Sequence, residues 1–206
     1  ADTLKVLETR NNIACVLINP LQALHLNRGA SSDAMLINSD RGADFDRAAY
    51  SNWLAKLRDV CTRKGIIMIM DEVFLGFRLG VGGAQEFFDV KADMVTYGKT
   101  LGGGLPVGVL CGKAHLMKRY REDAPTDICF ARGTFNSHPY VMASMNEFLR
   151  YATSPEFKAE IAQACEQWDA RAEAFNQRLQ EAGLPLKVHN LSSVWILTYT
   201  QPSRFN

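Results

Sequence analysis

Thr96-Tyr97-Gly98-Lys99-Thr100-Leu101-Gly102-Gly103-Gly104-Leu105-Pro106-Val107-Gly108 places Lys99 directly after a glycine and follows it with three more glycines and a proline. A lysine works as a nucleophilic amine, or as the partner of a carbonyl, once its surroundings favour the neutral form. Glycines remove the Cβ atoms that would keep a flat ligand away from the backbone. A second group with chemical reach lies upstream, where the apolar run Ile66-Ile67-Met68-Ile69-Met70 delivers Asp71-Glu72. An amine and a carboxylate could therefore face one pocket, the first bonding covalently and the second holding a positive charge.

The elements that must position them read as an α/β pattern. Ile13 to Ile18 is a short continuous apolar run ending at Asn19-Pro20, as a strand buried on both faces would be. Residues 22 to 44 are polar and aperiodic, which predicts a long loop. From Phe45, apolar positions Ala49, Trp53, Leu57 and Val60-Cys61 recur at helical spacing, with Gly65 placed to end the helix. Ile66 to Met70, Asp93 to Tyr97 and Val107 to Cys111 read as further strands. A helix through Leu116-Met117 is expected next, then a loop from Pro125 to His138. Pro139 suits the first turn of a helix running to Leu149. Ser154 caps another, with Pro155 at its first position and an apolar stripe of Phe157, Ile161, Cys165, Trp168, Phe175 and Leu179. Leu186 to His189 and Val194 to Tyr199 predict two closing strands. Ligands of such sheets gather at the strand ends.

Composition excludes several classes. The 206 residues are 47% hydrophobic and 22% charged, enough for a sizeable core. A net charge of +1, with basic residues scattered, argues against nucleic acid or an anionic membrane as partner. No apolar run reaches the length of a membrane span and Ala1 to Lys5 lack a signal-peptide pattern, so the chain reads as cytoplasmic. Cys15, Cys61, Cys111, Cys129 and Cys165 are widely spaced, with no Cys-x-x-Cys, and the four histidines are dispersed. Buried reduced thiols, without disulfide framework or metal site, are the expectation.

Two nucleotide readings fail on spacing. Gly98-Lys99-Thr100 matches the end of a phosphate-cradling loop, but position 93 is Asp where that loop needs glycine, and Leu101 to Pro106 cannot begin a regular helix. Gly80-Val81-Gly82-Gly83-Ala84-Gln85 has Gln85 in the third glycine's place of a dinucleotide fingerprint. The chemistry that uses both strand ends is that of pyridoxal phosphate, which needs a lysine for its aldehyde and an acid to keep its ring nitrogen protonated. Taken singly, Asp71 could instead be a helix cap and Lys99 a solvated surface charge.

Three segments in order, Asp71-Glu72-Val73-Phe74-Leu75-Gly76-Phe77-Arg78, then Asp93 to Gly108, then Gly133-Thr134-Phe135-Asn136-Ser137-His138-Pro139, resemble the class III pyridoxal-phosphate aminotransferases. Within that class they are most similar to the glutamate-1-semialdehyde aminomutase branch and to assembly-line aminotransferase domains. The resemblance implies pyridoxal-phosphate fold type I: residues 1–152 as the central part of the large cofactor-binding domain, with a mainly parallel sheet, and 153–206 as the start of a small C-terminal α+β domain, both incomplete. It implies that Lys99 bonds the cofactor aldehyde, that Asp71 pairs with the pyridine nitrogen, that Val73 packs against the ring, and that Thr134 reaches the cofactor phosphate of a neighbouring subunit. A homodimer with shared active sites follows, acting on a small-molecule amino donor and a carbonyl acceptor. From the residues alone, Thr134 is a turn residue leading into a helix and Val73 is core packing.

The match departs from the family at Asn19-Pro20, where Glu-Pro is usual, at Leu75, where that branch commonly has threonine, and in the length of the 22–44 loop. The family's upstream phosphate loop and ring-stacking aromatic have no counterpart here. Three alternatives stay open: a fragment of an aminotransferase or aminomutase, a domain of a larger assembly-line protein, or a non-catalytic dimerisation or binding module.

Overall fold

The computed structural model describes residues 2–20, 47–118, 122–124 and 133–200. The predicted 22–44 loop, the 125–132 segment and Cys129 lie outside the described residues. Four strands make the central sheet: β1 (Cys15–Ile18), β2 (Ile67–Asp71) and β3 (Met94–Gly98) run parallel, and β4 (Gly108–Gly112) pairs antiparallel with β3. The mainly parallel α/β sheet is the expected one. The β3–β4 connection is too short for the crossover that a parallel pairing needs, so the glycine stretch turns the chain back on itself.

An eight-residue helix, α1 (Asp2–Thr9), too short to show a period in sequence, packs on α2 (Arg47–Lys64). Leu54, Leu57, Val60 and Cys61 of α2 are buried and join Met68, Met70 and Val95 of the sheet in one apolar core. Gly65 ends α2 at φ 66, a left-handed position that suits glycine. A short helix, α3 (Gly83–Phe87), follows the loop after β2. Its amide donors at Ala84 and Gln85 bond the Glu72 carboxylate, at 2.7 and 3.4 Å.

The described residues cover one face of the sheet. Register puts Leu17, Ile69, Asp71, Thr96, Gly98 and Leu110 on the opposite face, where Leu17 is 62% and Leu110 47% exposed. The expectation of a strand buried on both faces is thus corrected for β1: an edge strand can be apolar throughout and still show one side. Cys15 and Cys111 are exposed and Cys165 half-buried, so of the described thiols Cys61 alone is the buried one expected. Among the described residues the helix expected through Leu116-Met117 is a single 3₁₀ turn, Ala114–Leu116.

Beyond the sheet come α4 (Pro139–Ala152) and α5 (Pro155–Glu181), each opened by its proline as predicted. Ser154 Oγ accepts the Phe157 amide at 3.1 Å, the cap that the sequence signalled. A hairpin of β5 (Leu186–Leu191) and β6 (Val194–Tyr199) packs on α5, where Ala172, Leu179 and Val188 form a small buried cluster. Asn176 of α5 fixes their register by donating to the Val188 carbonyl at 2.8 Å and accepting its amide at 2.7 Å. The predicted α5 stripe is only partly used: Phe175 remains 41% exposed and leans on Trp195. The hairpin turn reaches the main core through Leu191 and Val194, and Ser192 Oγ donates to the Arg78 carbonyl at 3.3 Å.

Candidate active site

β2 and β3 are parallel neighbours, so their carboxyl ends lie side by side, with Asp71 registered opposite Thr96. Thr96 Oγ1 donates to Asp71 Oδ1 at 3.1 Å, and the Val73 amide donates to the same oxygen at 3.1 Å. The carboxylate is held from its own chain and from the next strand, while Oδ2 has no protein partner among the described residues. Sequence reasoning missed Thr96, whose one available signal was a hydroxyl at the position where two parallel strands end together.

Two residues beyond Thr96 the strand closes at Gly98, whose φ of −172 is ordinary extended backbone. Space, rather than backbone freedom, requires glycine there: a Cβ would lie 3.1 Å from Val73 Cγ1 and 3.0 Å from the Val107 carbonyl oxygen. The unusual conformation belongs to Lys99, at φ 43 in the left-handed region. Lys99 leaves the strand through a 3₁₀ turn, Lys99–Gly102, its ammonium 5.6 Å from the centre of the Phe74 ring. Ser144 of α4 anchors that turn, donating from Oγ to the Gly102 carbonyl at 2.9 Å. Gly103 is required twice over: φ is 57, and a Cβ would lie 2.5 Å from Ser144 Oγ.

Val73, whose amide holds the Asp71 carboxylate, thus packs against Gly98, the residue from which Lys99 departs. Thr134 is not brought to them. It lies in an exposed turn before α4 and has no hydrogen bond to Asp71, Val73 or Lys99 among the described residues. Beside that turn a groove of about 360 Å³ runs between Leu105 to Gly108 and Phe135 to Met142, with Phe135 80% exposed.

Beneath the site, Glu72 is fully buried. Burial pushes its carboxyl above the usual range, opposed by the amides of Ala84 and Gln85. Tyr97 is pushed up to about 12, first by burial and then by the nearby Glu72 and Cys111. Both belong to the packing that holds the 73–82 loop over the strand ends.

With this architecture in view, the chain matches the class-III aminotransferase family over residues 3–187, and it belongs to that family. A glutamate-1-semialdehyde 2,1-aminomutase from Nitratidesulfovibrio vulgaris is 38% identical over 154 residues, 73% of this chain and 34% of that protein. An omega-transaminase structure from Sphaerobacter thermophilus superposes with a TM-score of 0.73 at 26% identity, covering 97% of this chain and 41% of that one. A transaminase solved with PLP bound gives a TM-score of 0.65 at 26% identity over 95% of this chain and 40% of that one. The fold is therefore the aminotransferase fold type I. The chain spans 34% to 41% of the length of these curated relatives. No helix among the described residues is long and apolar enough to cross a membrane, and none of them form a group of three or more potential metal ligands.

Proposed function

We propose that this chain carries the cofactor-binding centre of an enzyme that uses pyridoxal phosphate to move an amino group between an amino donor and a keto or aldehyde acceptor. The observation that carries this reading is the convergence of Asp71 and the Lys99 turn at the adjoining carboxyl ends of β2 and β3, in a class-III aminotransferase chain. The residues present fit the group: among the described residues Asp71 keeps one oxygen without a protein partner and the Lys99 amine has no ion pair, while glycine at 98 lets the strand end pack closely on Val73.

Pyridoxal phosphate, when bound, supplies an aldehyde that captures amines and a ring that takes up the electron pair released at the substrate carbon. Lys99 would serve as the covalent anchor and, with its amine freed, as the base that takes the proton from that carbon and delivers it to the carbon on the other side of the nitrogen, a 1,3-shift. Asp71 holds the proton on the ring nitrogen, with Thr96 and the Val73 amide orienting its carboxylate. Val73 packs on the ring face. Thr134 serves the phosphate of a neighbouring subunit, so the working form is a homodimer. Residues 1–152 belong to the large domain and 153–206 begin the small one, a division supported by the two separate sheets.

Borohydride reduction of the cofactor-loaded protein should fix the label on Lys99, read by peptide mass spectrometry, and Lys99→Ala should abolish turnover. Label on another lysine would refute the assignment. A second reading, an intramolecular aminomutase, is favoured by the curated relatives named glutamate-1-semialdehyde 2,1-aminomutase. It requires turnover without an added amino donor, whereas the transferase requires one.

A further inference from the structure

We propose that Phe74 is a positioning residue for Lys99, its ring face forming the resting place of the lysine ammonium whenever the amine is not bonded to a carbonyl. Lys99 Nζ lies 5.6 Å from the ring centre, inside the roughly 6 Å reach over which an aromatic face attracts a cation. Among the described residues that ammonium has no hydrogen bond and no carboxylate partner. Among the described residues the ring is its one charge-stabilising contact.

The ring is itself held from two directions. Arg78 Nε donates to the Phe74 carbonyl at 2.8 Å, and the Arg78 guanidinium carbon lies 4.9 Å from the same ring centre. The Arg78 carbonyl accepts Ser192 Oγ from the β5–β6 turn, which ties the ring's support to the hairpin. On its other side Phe74 is followed by fully buried Leu75 and preceded by Val73, whose amide bonds Asp71. The ring that receives Lys99 is therefore built into the loop that orients the carboxylate, and an amine released there stays beside the strand ends.

The purpose assigned to the contact rests on Lys99 being the covalent anchor, but the contact can be tested without it. Fluorinated phenylalanines carrying one to three ring fluorines, placed at position 74 alone, keep the shape of the side chain while draining the negative face of the ring. The full chain without cofactor is trace-labelled near neutral pH with an amine-acylating reagent. Lys99 is compared with exposed Lys56 by peptide mass spectrometry. The Lys99 to Lys56 ratio should rise stepwise with fluorine number, to about threefold, because the ring no longer favours the unreactive ammonium. Phe74→Leu should rise as far and Phe74→Tyr should keep the parent ratio. A ratio that stays flat across the fluorine series overturns the proposal. Borohydride trapping on the same proteins separates the two ideas: label on Lys99 with a flat series leaves the anchor standing and removes the resting site, and label elsewhere with a stepwise series does the reverse.

Discussion

The two ends of the parallel strands each hold a carboxylate cluster, and the clusters are completed to different degrees. At the amino end, Asp93 precedes β3 and both of its oxygens have donors: Arg58 at 2.7 Å and the Met68 amide at 2.9 Å on Oδ2, and Lys113 at 2.5 Å on Oδ1. Burial alone would raise this carboxyl, but Lys113, the Met68 amide and Arg58 outweigh it and hold it down to about 2. The cluster joins α2, β2 and the end of β4 to the start of β3. At the carboxyl end, among the described residues, Asp71 spends one oxygen on the protein and keeps the other, and Lys99 has a ring for company where Lys113 has a carboxylate. A carboxylate with both oxygens engaged stabilises the fold, whereas one with an oxygen in reserve retains capacity for a ligand.

Substitutions at the two ends should separate function from stability. The largest effect is expected for Asp71→Asn, which should lower turnover by about 100-fold or more while shifting the urea unfolding free energy by only about 0.5 kcal/mol. Steady-state kinetics and denaturation on one preparation check both halves. Asp93→Ala should do the reverse. It strands Arg58 and the buried Met68 amide, costing about 3 kcal/mol in urea unfolding, with borohydride labelling of Lys99 unchanged in protein that remains folded.

Acid titration sharpens the contrast next. Asp93 has a depressed folded value, so its stabilisation is present above the ordinary carboxylate range near 4 and is lost as pH falls toward about 2. That loss amounts to about 2 kcal/mol, and Asp93→Asn should flatten this part of the stability profile. Glu72, raised by burial, has the opposite sign: its contribution is complete below the ordinary glutamate value and is lost as pH rises through the folded value. Glu72→Gln should therefore remove a rise in stability on acidification, measurable by urea titrations across pH. The smallest effect belongs to Thr96→Val, which frees Asp71 Oδ1 from one of its two donors. It should weaken cofactor binding about fivefold, measured by absorbance titration, at a fold cost of about 1 kcal/mol.

Much of this was legible in sequence because local rules cover it. Apolar runs ending in Asp71 and Gly98, the Ser154-Pro155 start of α5, Pro139 at the head of α4 and Gly65 after α2 each carry their signal in neighbouring residues. The features missed depend on partners distant in the chain. Asp93 read as the residue that spoiled a phosphate loop, and its role comes from Arg58, Met68 and Lys113, which only the folded sheet assembles. Thr96 looked like any strand threonine until parallel register set it opposite Asp71.

By itself the sequence determined the chemistry on offer: one lysine after a glycine, one carboxylate at a strand end, and the family whose motifs surround them. Tertiary structure decided what those residues can do with each other. It placed the left-handed turn on Lys99 rather than on Gly98, packed Val73 and the Val107 carbonyl so closely on Gly98 that no side chain fits there, and seated the lysine ammonium on Phe74. The physical reason is that covalent neighbours fix propensity, whereas strand register and side-chain packing fix which oxygen keeps a free lone pair and which amine lacks a counter-ion.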